Sequence, residues 1–516
     1  MPVIRRVAFW VGLLLAGACF VIGRTAWGLE PAAAATAAVT VLCAVWWCSE
    51  AVPIPVTSIV PFALFPLLGV LDHGDLAAAF GDKFVLLFMA GFMLSRAAEK
   101  SQTHLRVAHG IMRVVGTTSG RRIIIGFMLA TAFLSMWISN TATALIMLPV
   151  ALAVLQEHRD ARFGVSLLLG IAYGASIGGI ATIIGTPPNG VFVSIYEDQV
   201  GRNVDFLTWL KIGVPVSLLM LLAAAVVLTA RVKRIENFRL IELGAWTPAQ
   251  RRVLAVMTAT ALLWIFRKAP FGGWSSLPLF AGADIQDATV GFLGVLAMFV
   301  IPSGERDDTG GRATLLDWKT ARDIPWGILL LFAGGICIAK AFAASGLDQS
   351  IGQALTSVSA LHPLLVIALL CLAVTFMTEV TSNTATTTLL MPILSAAGLA
   401  SGLDPAVYMI PAALSASCAF MLPVATPPNA IVFAADAITI PRMARVGVVL
   451  NLIGVAVISL CCYYLIDPQT GIDGVEPPAA TSSPESSRLT RPVDLGQAPP
   501  PFDHSTVSTA AASPSS

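Results

Sequence analysis

Charged residues are scarce in this sequence. They make up 12% of the 516 residues, whereas 56% are apolar, and a soluble domain usually carries about 25% charged residues. A water-soluble core could not bury so much apolar surface, so the composition predicts a protein that resides in a bilayer. The formal net charge of +1 argues against a nucleic-acid partner.

The residue patterns of enzymes and metal sites are missing as well. All eight cysteines lie in apolar runs, so we expect neither a disulfide framework nor a zinc site. The sequence has no His-x-x-x-His motif and no paired aspartate within an apolar segment. These absences argue against an intramembrane enzyme and an organic cofactor. A sensor is disfavoured because no soluble output domain is visible.

Long apolar segments, in contrast, follow one another along most of the chain. A spanning helix needs roughly 20 apolar residues, so the sequence predicts an all-α polytopic membrane protein. The first segment follows Arg5 and Arg6 and could be a signal peptide, but a second follows so soon that we interpret it as a membrane span. The segments lie near 7–23, 33–48, 53–70, 84–98, 123–155, 164–196, 208–230, 252–266, 288–302, 325–344, 363–397, 405–436 and 443–466.

Four of these segments are interrupted. Ser, Asn and Thr break 123–155 and 363–397 near the middle, and each half is too short to cross a bilayer, so we predict two re-entrant hairpins. Pro-Pro-Asn breaks 164–196 and 405–436. Non-helical backbone survives in hydrocarbon only where it is buried in protein or lines a cavity. The four breaks therefore indicate a binding cavity.

The breaks belong to an internal repeat. Ala90-Gly91 and Pro149 recur at an offset of 243 residues, as Ala333-Gly334 and Pro392. The motif that begins Ser139-Asn140-Thr141 recurs at the same offset as Ser382-Asn383-Thr384. The motif Thr186-Pro187-Pro188-Asn189 recurs as Thr426-Pro427-Pro428-Asn429, at an offset of 240. Matches in the same order at a nearly constant offset indicate a duplication.

Basic residues predict how the two halves are oriented. Residues 96–122 are rich in Arg and Lys, whereas no Lys or Arg lies between Lys340 and Arg442. Positive loops remain cytoplasmic, so we expect an inverted repeat, which is typical of secondary transporters. The segment that links the halves is also basic, and we place it in the cytoplasm. Its basic residues are Arg231, Lys233, Arg234, Arg239, Arg251 and Arg252.

The predicted organisation has four parts. Residues 1–30 form an N-terminal transmembrane helix, 31–235 the first repeat, 236–466 the second repeat, and 467–516 a disordered tail rich in Pro, Ser and Thr. We expect a cytoplasmic N-terminus, a tail outside, and a bacterial inner membrane as the location.

The interrupted segments offer the groups that bind ions. Proline removes a backbone donor and ends a helix, which leaves carbonyl oxygens free for a cation, while exposed N–H groups at a helix N-terminus favour an anion. No Lys or Arg lies within either hairpin segment, so a bound dianion needs a mobile counter-ion, and sodium suits oxygen ligands. One such motif would be explained by hydrogen bonding between helices; two in symmetric positions favour a site.

Two acidic residues stand out near the breaks. Glu379 lies in the second hairpin, where its counterpart in the first is Met136. A buried acid can couple protons, but we favour a structural role at the hairpin rim. Glu50 precedes Pro53 and Pro55, and we expect it to stabilise a helix break there.

At these residues the sequence resembles the divalent anion/sodium symporter family, which includes dicarboxylate, citrate and sulfate carriers. The resemblance rests on the paired Ser-Asn-Thr motifs, on the stretch 416–432 and on Trp46-Trp47 with Glu50 and Pro53. It implies a homodimer whose protomers each have about 11 transmembrane helices and two hairpins. It also implies an elevator mechanism, in which a transport domain slides against a scaffold.

The resemblance assigns ligands to both halves. The first sodium site would use Ser135, Ser139, Asn140 and the backbone of Gly185. The second would use Thr378, Thr381, Ser382, Asn383 and the backbone of Ala425. The substrate would contact Ser139, Asn140, Thr141, Ser382, Asn383 and Thr384, with Thr186 and Thr426 nearby.

The expected function is sodium-coupled symport of a C4-dicarboxylate such as succinate, malate or fumarate. The family also contains anion exchangers, so exchange remains an alternative. A citrate or sulfate carrier on the same scaffold is another.

Overall fold

The computed structural model of the chain describes residues 3–116, 118–157, 160–230, 232, 244–268, 272–280, 282–306, 311–355 and 362–471. These residues are helical apart from turns, loops and one small β-hairpin. Seven helical segments are long and apolar enough to cross a membrane, and shorter apolar helices lie between them. The predicted all-α polytopic fold is therefore confirmed.

The described residues of the first half form twelve helices, which are joined by short connections. In chain order they are α1 (Val3–Thr25), α2 (Pro31–Ser49), α3 (Ile54–Thr57), α4 (Val60–Leu67), α5 (His73–Phe80), α6 (Lys83–Lys100), α7 (Thr103–Val115), α8 (Gly120–Ser135), α9 (Asn140–Glu157), α10 (Ala161–Ile180), α11 (Pro187–Val200) and α12 (Phe206–Thr229).

In the second half, the described residues form ten α-helices and the β-hairpin. They are α13 (Pro248–Ile265), α14 (Asp287–Val300), β1 (Pro302–Arg306), β2 (Arg312–Thr314), α15 (Trp318–Ala321), α16 (Trp326–Ser345), α17 (Leu347–Leu355), α18 (Pro363–Met377), α19 (Asn383–Ala400), α20 (Ala406–Ala416), α21 (Pro427–Phe433) and α22 (Ile440–Leu465). Two 3-10 turns, Trp274–Ser276 and Pro278–Phe280, precede α14.

Helices of the two halves correspond in order around the four breaks. The helices α9 and α19 both contain 18 residues, and each begins at the Asn of its Ser-Asn-Thr motif. The helices α11 and α21 both begin at the first proline of their Pro-Pro-Asn motif. Proline is favoured in the first turn of a helix because its missing N–H has no intrahelical partner there. Each predicted break thus becomes a helix N-terminus.

The halves are interleaved rather than side by side. The helix α9 packs against α21 of the second half, and α19 packs against α11 of the first. Each half therefore completes the surroundings of the other half's breaks.

Ion pairs fix the relative direction of α6 and α16. Lys83, the first residue of α6, pairs with Glu197. Lys340, near the end of α16, pairs with the adjacent Asp198 at 2.6 Å. At the opposite end of α6, Lys100 pairs at 2.6 Å with Asp317, which precedes α16. The two helices therefore run antiparallel.

Several elements were not predicted from the sequence. The apolar segment 53–70 is divided into α3 and α4, and the short helices α5, α7 and α17 lie between apolar segments. The β-hairpin follows α14, with β1 and β2 paired antiparallel. These elements are short or amphipathic, so their apolar residues do not form the long runs on which the prediction relied.

The prediction for Glu50 is wrong. Its backbone ends α2 in the left-handed conformation, with φ 46°, and its carboxylate pairs with Arg5 at 3.2 Å. The break before α3 is stabilised instead by the buried Trp47, whose indole N–H donates to Ser58 Oγ at 3.2 Å.

The predicted tail begins too early. Residues 467–471 form a turn closed by two backbone hydrogen bonds between Asp467 and Gly471. The backbone N–H groups of Thr470 and Gln469 lower the pKa of Asp467, and the Thr470 carbonyl accepts a hydrogen bond from Arg202. The rest of the predicted tail, 472–516, and the basic link at Arg231, Lys233, Arg234 and Arg239 lie outside the described residues.

Small residues allow α8 and α10 to pack closely. A Cβ atom added to Gly178 would lie 2.2 Å from the carbonyl oxygen of Ala132, and one added to Gly174 would lie 2.7 Å from that of Met128. Small residues at this spacing let membrane helices approach until their backbones touch. The hairpin arm α8 is thereby held against α10, the helix that leads to the first Pro-Pro-Asn break.

We expect Gly178→Ala to separate α8 from α10 and destabilise the protein. Overpacking typically costs about 1–3 kcal/mol, and a clash with backbone is hard to relieve, so we expect a thermal unfolding midpoint several degrees lower in detergent. Gly17→Ala in α1 is the matched control, because a Cβ there would meet no atom within 4 Å. Equal midpoints for the two variants would contradict the close packing.

Candidate functional site

The first residues of four helices line one cavity of about 600 Å³. The helices are α9 and α19, which begin at the Ser-Asn-Thr motifs, and α11 and α21, which begin at the Pro-Pro-Asn motifs. The structure brings all of the predicted substrate ligands together in this cavity: Ser139, Asn140, Thr141, Thr186, Ser382, Asn383, Thr384 and Thr426.

The cavity is suited to an anion. The first residues of α9 and α19 present backbone N–H groups to the cavity, whereas the Pro-Pro pairs that begin α11 and α21 have none. All four helix N-termini that meet here carry a partial positive charge. Among the described lining residues only Arg5 and Glu50 are charged, and they pair with each other. The positive potential therefore comes mainly from backbone dipoles.

The predicted ligands of the first sodium site form a compact cluster. The Asn140 side-chain amide lies 2.6 Å from Ser135 Oγ and 3.1 Å from the carbonyl oxygen of Gly185, and its nitrogen is best assigned towards both. Rotation of the amide would instead direct its oxygen towards them. Ser139 Oγ accepts a hydrogen bond from Ala142 N at 3.3 Å and so caps α9. Ser135 is fully buried behind the cavity wall.

The second cluster is similar, with one difference. Ser382 Oγ caps α19 by accepting from Ala385 N at 3.4 Å, and Thr378 is fully buried, like Ser135. Thr381 Oγ1 donates to the Met377 carbonyl at 2.8 Å, and the Ala425 backbone lines the cavity. The Oδ1 atom of Asn383, however, is buried without a hydrogen-bond partner. An unpaired buried acceptor is costly, and a cation would satisfy it.

Both clusters lack the ligands of a transition metal. No group of three or more His, Cys, Asp or Glu residues that could hold a metal ion occurs among the described residues. The oxygens of hydroxyls, amides and carbonyls are hard, neutral ligands, which suit an alkali cation better than zinc or copper.

Two buried asparagines hold the broken helices in place. Asn189 Nδ2 donates to the carbonyls of Gly179, Ile180 and Thr182 at 3.1, 3.2 and 2.7 Å. In the second half, Asn429 Nδ2 donates to the carbonyls of Ala419 and Leu422, both at 3.0 Å. The repeat revealed both asparagines, but sequence reasoning did not predict that each binds the backbone that precedes its own helix, α11 or α21.

A further contact in each half joins the hairpin tip to the adjacent break. In the first half, Thr182 Oγ1 donates to the Met136 carbonyl at 2.6 Å. In the second, the Glu379 carboxylate accepts from the backbone N–H groups of Met421 and Leu422 at 2.9 and 3.0 Å. The contact of Thr182 could not be predicted from the repeat, because its counterpart, Leu422, is a different residue type.

A second cavity connects the site to one end of the molecule. It has a volume of about 780 Å³ and shares Phe92, Ser139, Thr141 and Ile328 with the first. Its other lining residues include Arg96, Glu99 and Asp323, which lie near the end marked by the Lys100–Asp317 ion pair. The site is therefore accessible from the Arg- and Lys-rich end of α6.

Comparison with known families identifies the chain. The family model described as the sodium:sulfate symporter transmembrane region matches residues 9–465, which include all four breaks. This chain belongs to the sodium:sulfate symporter family. It is accordingly a transporter and not an enzyme, and the predicted resemblance is confirmed.

Relatives and structural neighbours of this symporter-family chain are also transporters. It is 37% identical over 462 residues to the sodium-dependent dicarboxylate transporter SdcS of Staphylococcus saprophyticus, with coverage of 85% of this chain and 87% of the relative. A Staphylococcus aureus protein of the same name is 36% identical with the same coverage. The Alcanivorax borkumensis YdaH transporter has a TM-score of 0.55 at 13% identity, over 83% of this chain and 98% of YdaH.

A second structural neighbour supports the same fold. Neisseria gonorrhoeae MtrF, described as illuminating a class of antimetabolite efflux pumps, has a TM-score of 0.53 at 11% identity, over 76% of this chain and 82% of MtrF. At such low identity the two structures show a shared fold alone.

We expect Asn189→Leu to unfold the first break. The substitution keeps the side-chain size and removes both N–H donors, which three buried carbonyls share. A hydrogen bond contributes about 1 kcal/mol and an unpaired buried carbonyl costs about 1–3 kcal/mol, so we expect a loss of roughly 2–4 kcal/mol in the free energy of unfolding. Thermal unfolding of the purified protein measures this loss. Asn203→Ala is the control, because the Asn203 amide lies at the surface and only accepts from Lys268. An Asn189→Leu variant as stable as the control would contradict the proposed support.

Proposed function

We propose that this protein is a secondary active transporter that carries a C4-dicarboxylate together with sodium ions. The observation that carries the proposal is the single cavity at which four helix N-termini and both Ser-Asn-Thr motifs meet. The names of the Staphylococcus relatives, sodium-dependent dicarboxylate transporters, support the same substrate and the same ion.

Electrostatics explains why sodium and substrate would move together. A dianion is costly to hold in a bilayer without compensating charge. Arg5 is the basic residue among the described residues that line the cavity, and it is already paired with Glu50. Sodium ions at Ser135, Ser139, Asn140 and Gly185, and at Thr378, Thr381, Ser382, Asn383 and Ala425, would supply that charge. Each sodium ion that enters down about 100 mV contributes about 2.3 kcal/mol to transport.

Two Ser-Asn-Thr motifs that line one cavity favour a substrate with two separated carboxylates. One carboxylate would bind Ser139, Asn140 and Thr141 at the start of α9, and the other Ser382, Asn383 and Thr384 at the start of α19. A compact tetrahedral anion could contact both motifs only if they approached each other. The family description nevertheless names sulfate, so sulfate is the second candidate substrate.

We further propose that the two halves form an inverted repeat. The antiparallel course of α6 and α16, fixed by the ion pairs of Lys83, Lys100 and Lys340, supports opposite orientations. Arg106 bonds Gln250 and Arg252 bonds Pro302, which brings several basic segments to the Lys100 end. The positive-inside rule then places this end, and the N-terminus, in the cytoplasm of a bacterial inner membrane.

The helices that carry the site would move as one body. The hairpins, the broken helices, α12 and α22 pack against one another. The remaining helices form the scaffold, of which α11 contacts α6 and α16, and α19 contacts α2 and α16. An elevator movement would slide the first group past the second. The cavity opens to the Lys100 end, so the structure represents an inward-facing state under this proposal. We retain the homodimer as part of it.

Uptake into proteoliposomes tests the function. We expect labelled succinate to accumulate only with an inward sodium gradient. Two sodium ions would balance the charge of the dianion, so faster uptake at an inside-negative potential would indicate a third coupled cation. Uptake that requires internal dicarboxylate and ignores sodium would establish an exchanger instead. Sulfate and citrate, tested in the same vesicles, decide the substrate class.

The same vesicles test the site. We expect Asn140→Ala and Asn383→Ala each to reduce succinate uptake at least about a hundredfold, since each would remove a ligand shared by substrate and sodium. Asn203→Ala is again the control. Near-normal uptake by either hairpin variant, at equal reconstitution, would contradict the assignment.

A crosslink between the two groups of helices should stop transport. Lys340 Nζ on α16 lies 2.6 Å from Asp198 Oδ1 on α11, and an elevator movement must separate these two residues. With Lys340→Cys and Asp198→Cys in a background without the native cysteines, we expect a short bifunctional thiol reagent to abolish uptake and a reductant to restore it.

A second cysteine pair provides the control for this experiment. Lys100 and Asp317 are also 2.6 Å apart, but both lie within the scaffold. Crosslinked Lys100→Cys and Asp317→Cys should therefore leave uptake intact. Continued transport with the Lys340–Asp198 pair crosslinked would exclude the elevator movement.

A further inference from the structure

Glu379 is a buried carboxylate, and the described groups that donate hydrogen bonds to it are all neutral. It is 3% exposed, and it accepts hydrogen bonds from Met421 N, Leu422 N and Asn451 Nδ2, the last at 2.7 Å. No ion pair joins it to a basic residue in the described part of the chain. A charge in such a place needs compensation.

The surroundings of Glu379 are themselves fixed. Asn451, from α22, is fully buried and accepts from Phe420 N at 3.2 Å through its other amide atom. Tyr173 donates to the Phe420 carbonyl at 2.9 Å. The carboxylate is thus held by groups from α22 and from the second break, and these groups are held in turn by α10.

A continuous chain of hydrogen bonds runs from Glu379 to the second sodium site. The carboxylate accepts from Leu422 N, and the Leu422 carbonyl accepts from Ala425 N at 3.2 Å and from Asn429 Nδ2 at 3.0 Å. Ala425 supplies the backbone ligand proposed for that site. In the chain, Glu379 directly follows Thr378 and precedes Thr381 by two residues, and both threonines are proposed ligands.

The first half makes the same connection without a charge. Thr182 donates to the Met136 carbonyl, and the Thr182 carbonyl accepts from Gly185 N at 3.3 Å and from Asn189 Nδ2 at 2.7 Å. Each of these residues occupies the repeat position of its counterpart in the second half. The two proposed sodium sites therefore share one backbone arrangement but differ by a carboxylate.

We propose that Glu379 is a positioning residue that makes the second sodium site bind sodium more tightly than the first. This inference rests on the proposed sodium coupling. The carboxylate orients the backbone of Ala425 through Leu422, and its negative charge attracts a cation held by Thr378, Thr381 and Asn383. A bound sodium ion would in turn compensate the buried carboxylate, which forms no ion pair with a basic residue in the described part of the chain. The second site would then fill before the first.

The expected size of the effect follows from electrostatics. At an effective dielectric constant near 20, two unit charges several ångströms apart attract strongly enough to change an affinity at least about tenfold. The neutral variant Glu379→Gln keeps the shape and one acceptor oxygen but loses the charge. We therefore expect its sodium affinity to fall at least about tenfold, with little change in the succinate KM at saturating sodium.

Sodium binding can be measured without transport. The thermal unfolding midpoint of the purified full-length protein is recorded against sodium concentration, with choline replacing sodium at constant ionic strength and no substrate present. We expect low sodium concentrations to raise the unfolding midpoint of the unmodified protein. The half-effect, which is the sodium concentration that gives half of the maximal rise, should be at least about tenfold higher for Glu379→Gln. The sodium concentration for half-maximal succinate uptake should rise in parallel.

Asn451→Ala separates the charge from the structural support. This variant removes one donor to the carboxylate and keeps its charge, so it should lower the unfolding midpoint at every sodium concentration while the half-effect stays within about twofold. Thr182→Val removes the neutral contact in the first half and should leave the sodium affinity of the second, tighter site unchanged. The inference is overturned if Glu379→Gln and Asn451→Ala shift the half-effect equally, or if Glu379→Gln leaves it unchanged.

This result is distinguishable from failure of the proposed function. If sodium neither stabilises the unmodified protein nor drives uptake, sodium coupling itself is wrong and the inference falls with it. If the unmodified protein responds to sodium and Glu379→Gln responds identically, only the role of Glu379 is wrong.

Discussion

Hydrocarbon offers no hydrogen-bonding partners, so every interruption of a membrane helix must satisfy its own backbone. Asn189 and Asn429 meet this requirement, because each side-chain amide donates to the carbonyls that the break leaves free. The breaks can therefore remain open inside the protein. The cavity, the four helix N-termini that line it and the carbonyls offered to cations all depend on these contacts.

The use of backbone rather than side-chain charge has a consequence for transport. A lysine or arginine in the cavity would hold a dianion permanently and oppose its release, whereas helix N-termini attract it only weakly. Sodium ions can then act as removable counter-charges that arrive and leave with the substrate. The neutral oxygens of Ser135 and Thr378, which we propose as sodium ligands, would suit this role because they would release sodium without retaining a charge of their own.

Much of this arrangement was predictable because duplicated motifs appear twice in the sequence. The starts of α9, α11, α19 and α21 and the ligands around them follow from repeated residues. The contacts of Thr182, Glu379 and Asn451 do not, because each half uses different residue types for the same connection. The pairing of Glu50 with Arg5 was also unpredictable, since the two residues are distant in sequence and meet only when α1 packs against α2.

The difference between the halves indicates which features a duplicated site must keep. A hydroxyl from Thr182 and a carboxylate from Glu379 join hairpin tip to break in opposite directions: the first donates to a backbone carbonyl, and the second accepts from backbone N–H groups. Both lead to the same arrangement at Gly185 and Ala425. Backbone geometry is therefore the shared requirement, and the side chain that enforces it is free to change. Under the proposal for Glu379, a charge introduced at such a position would alter the affinity of one site while the other would retain its original chemistry.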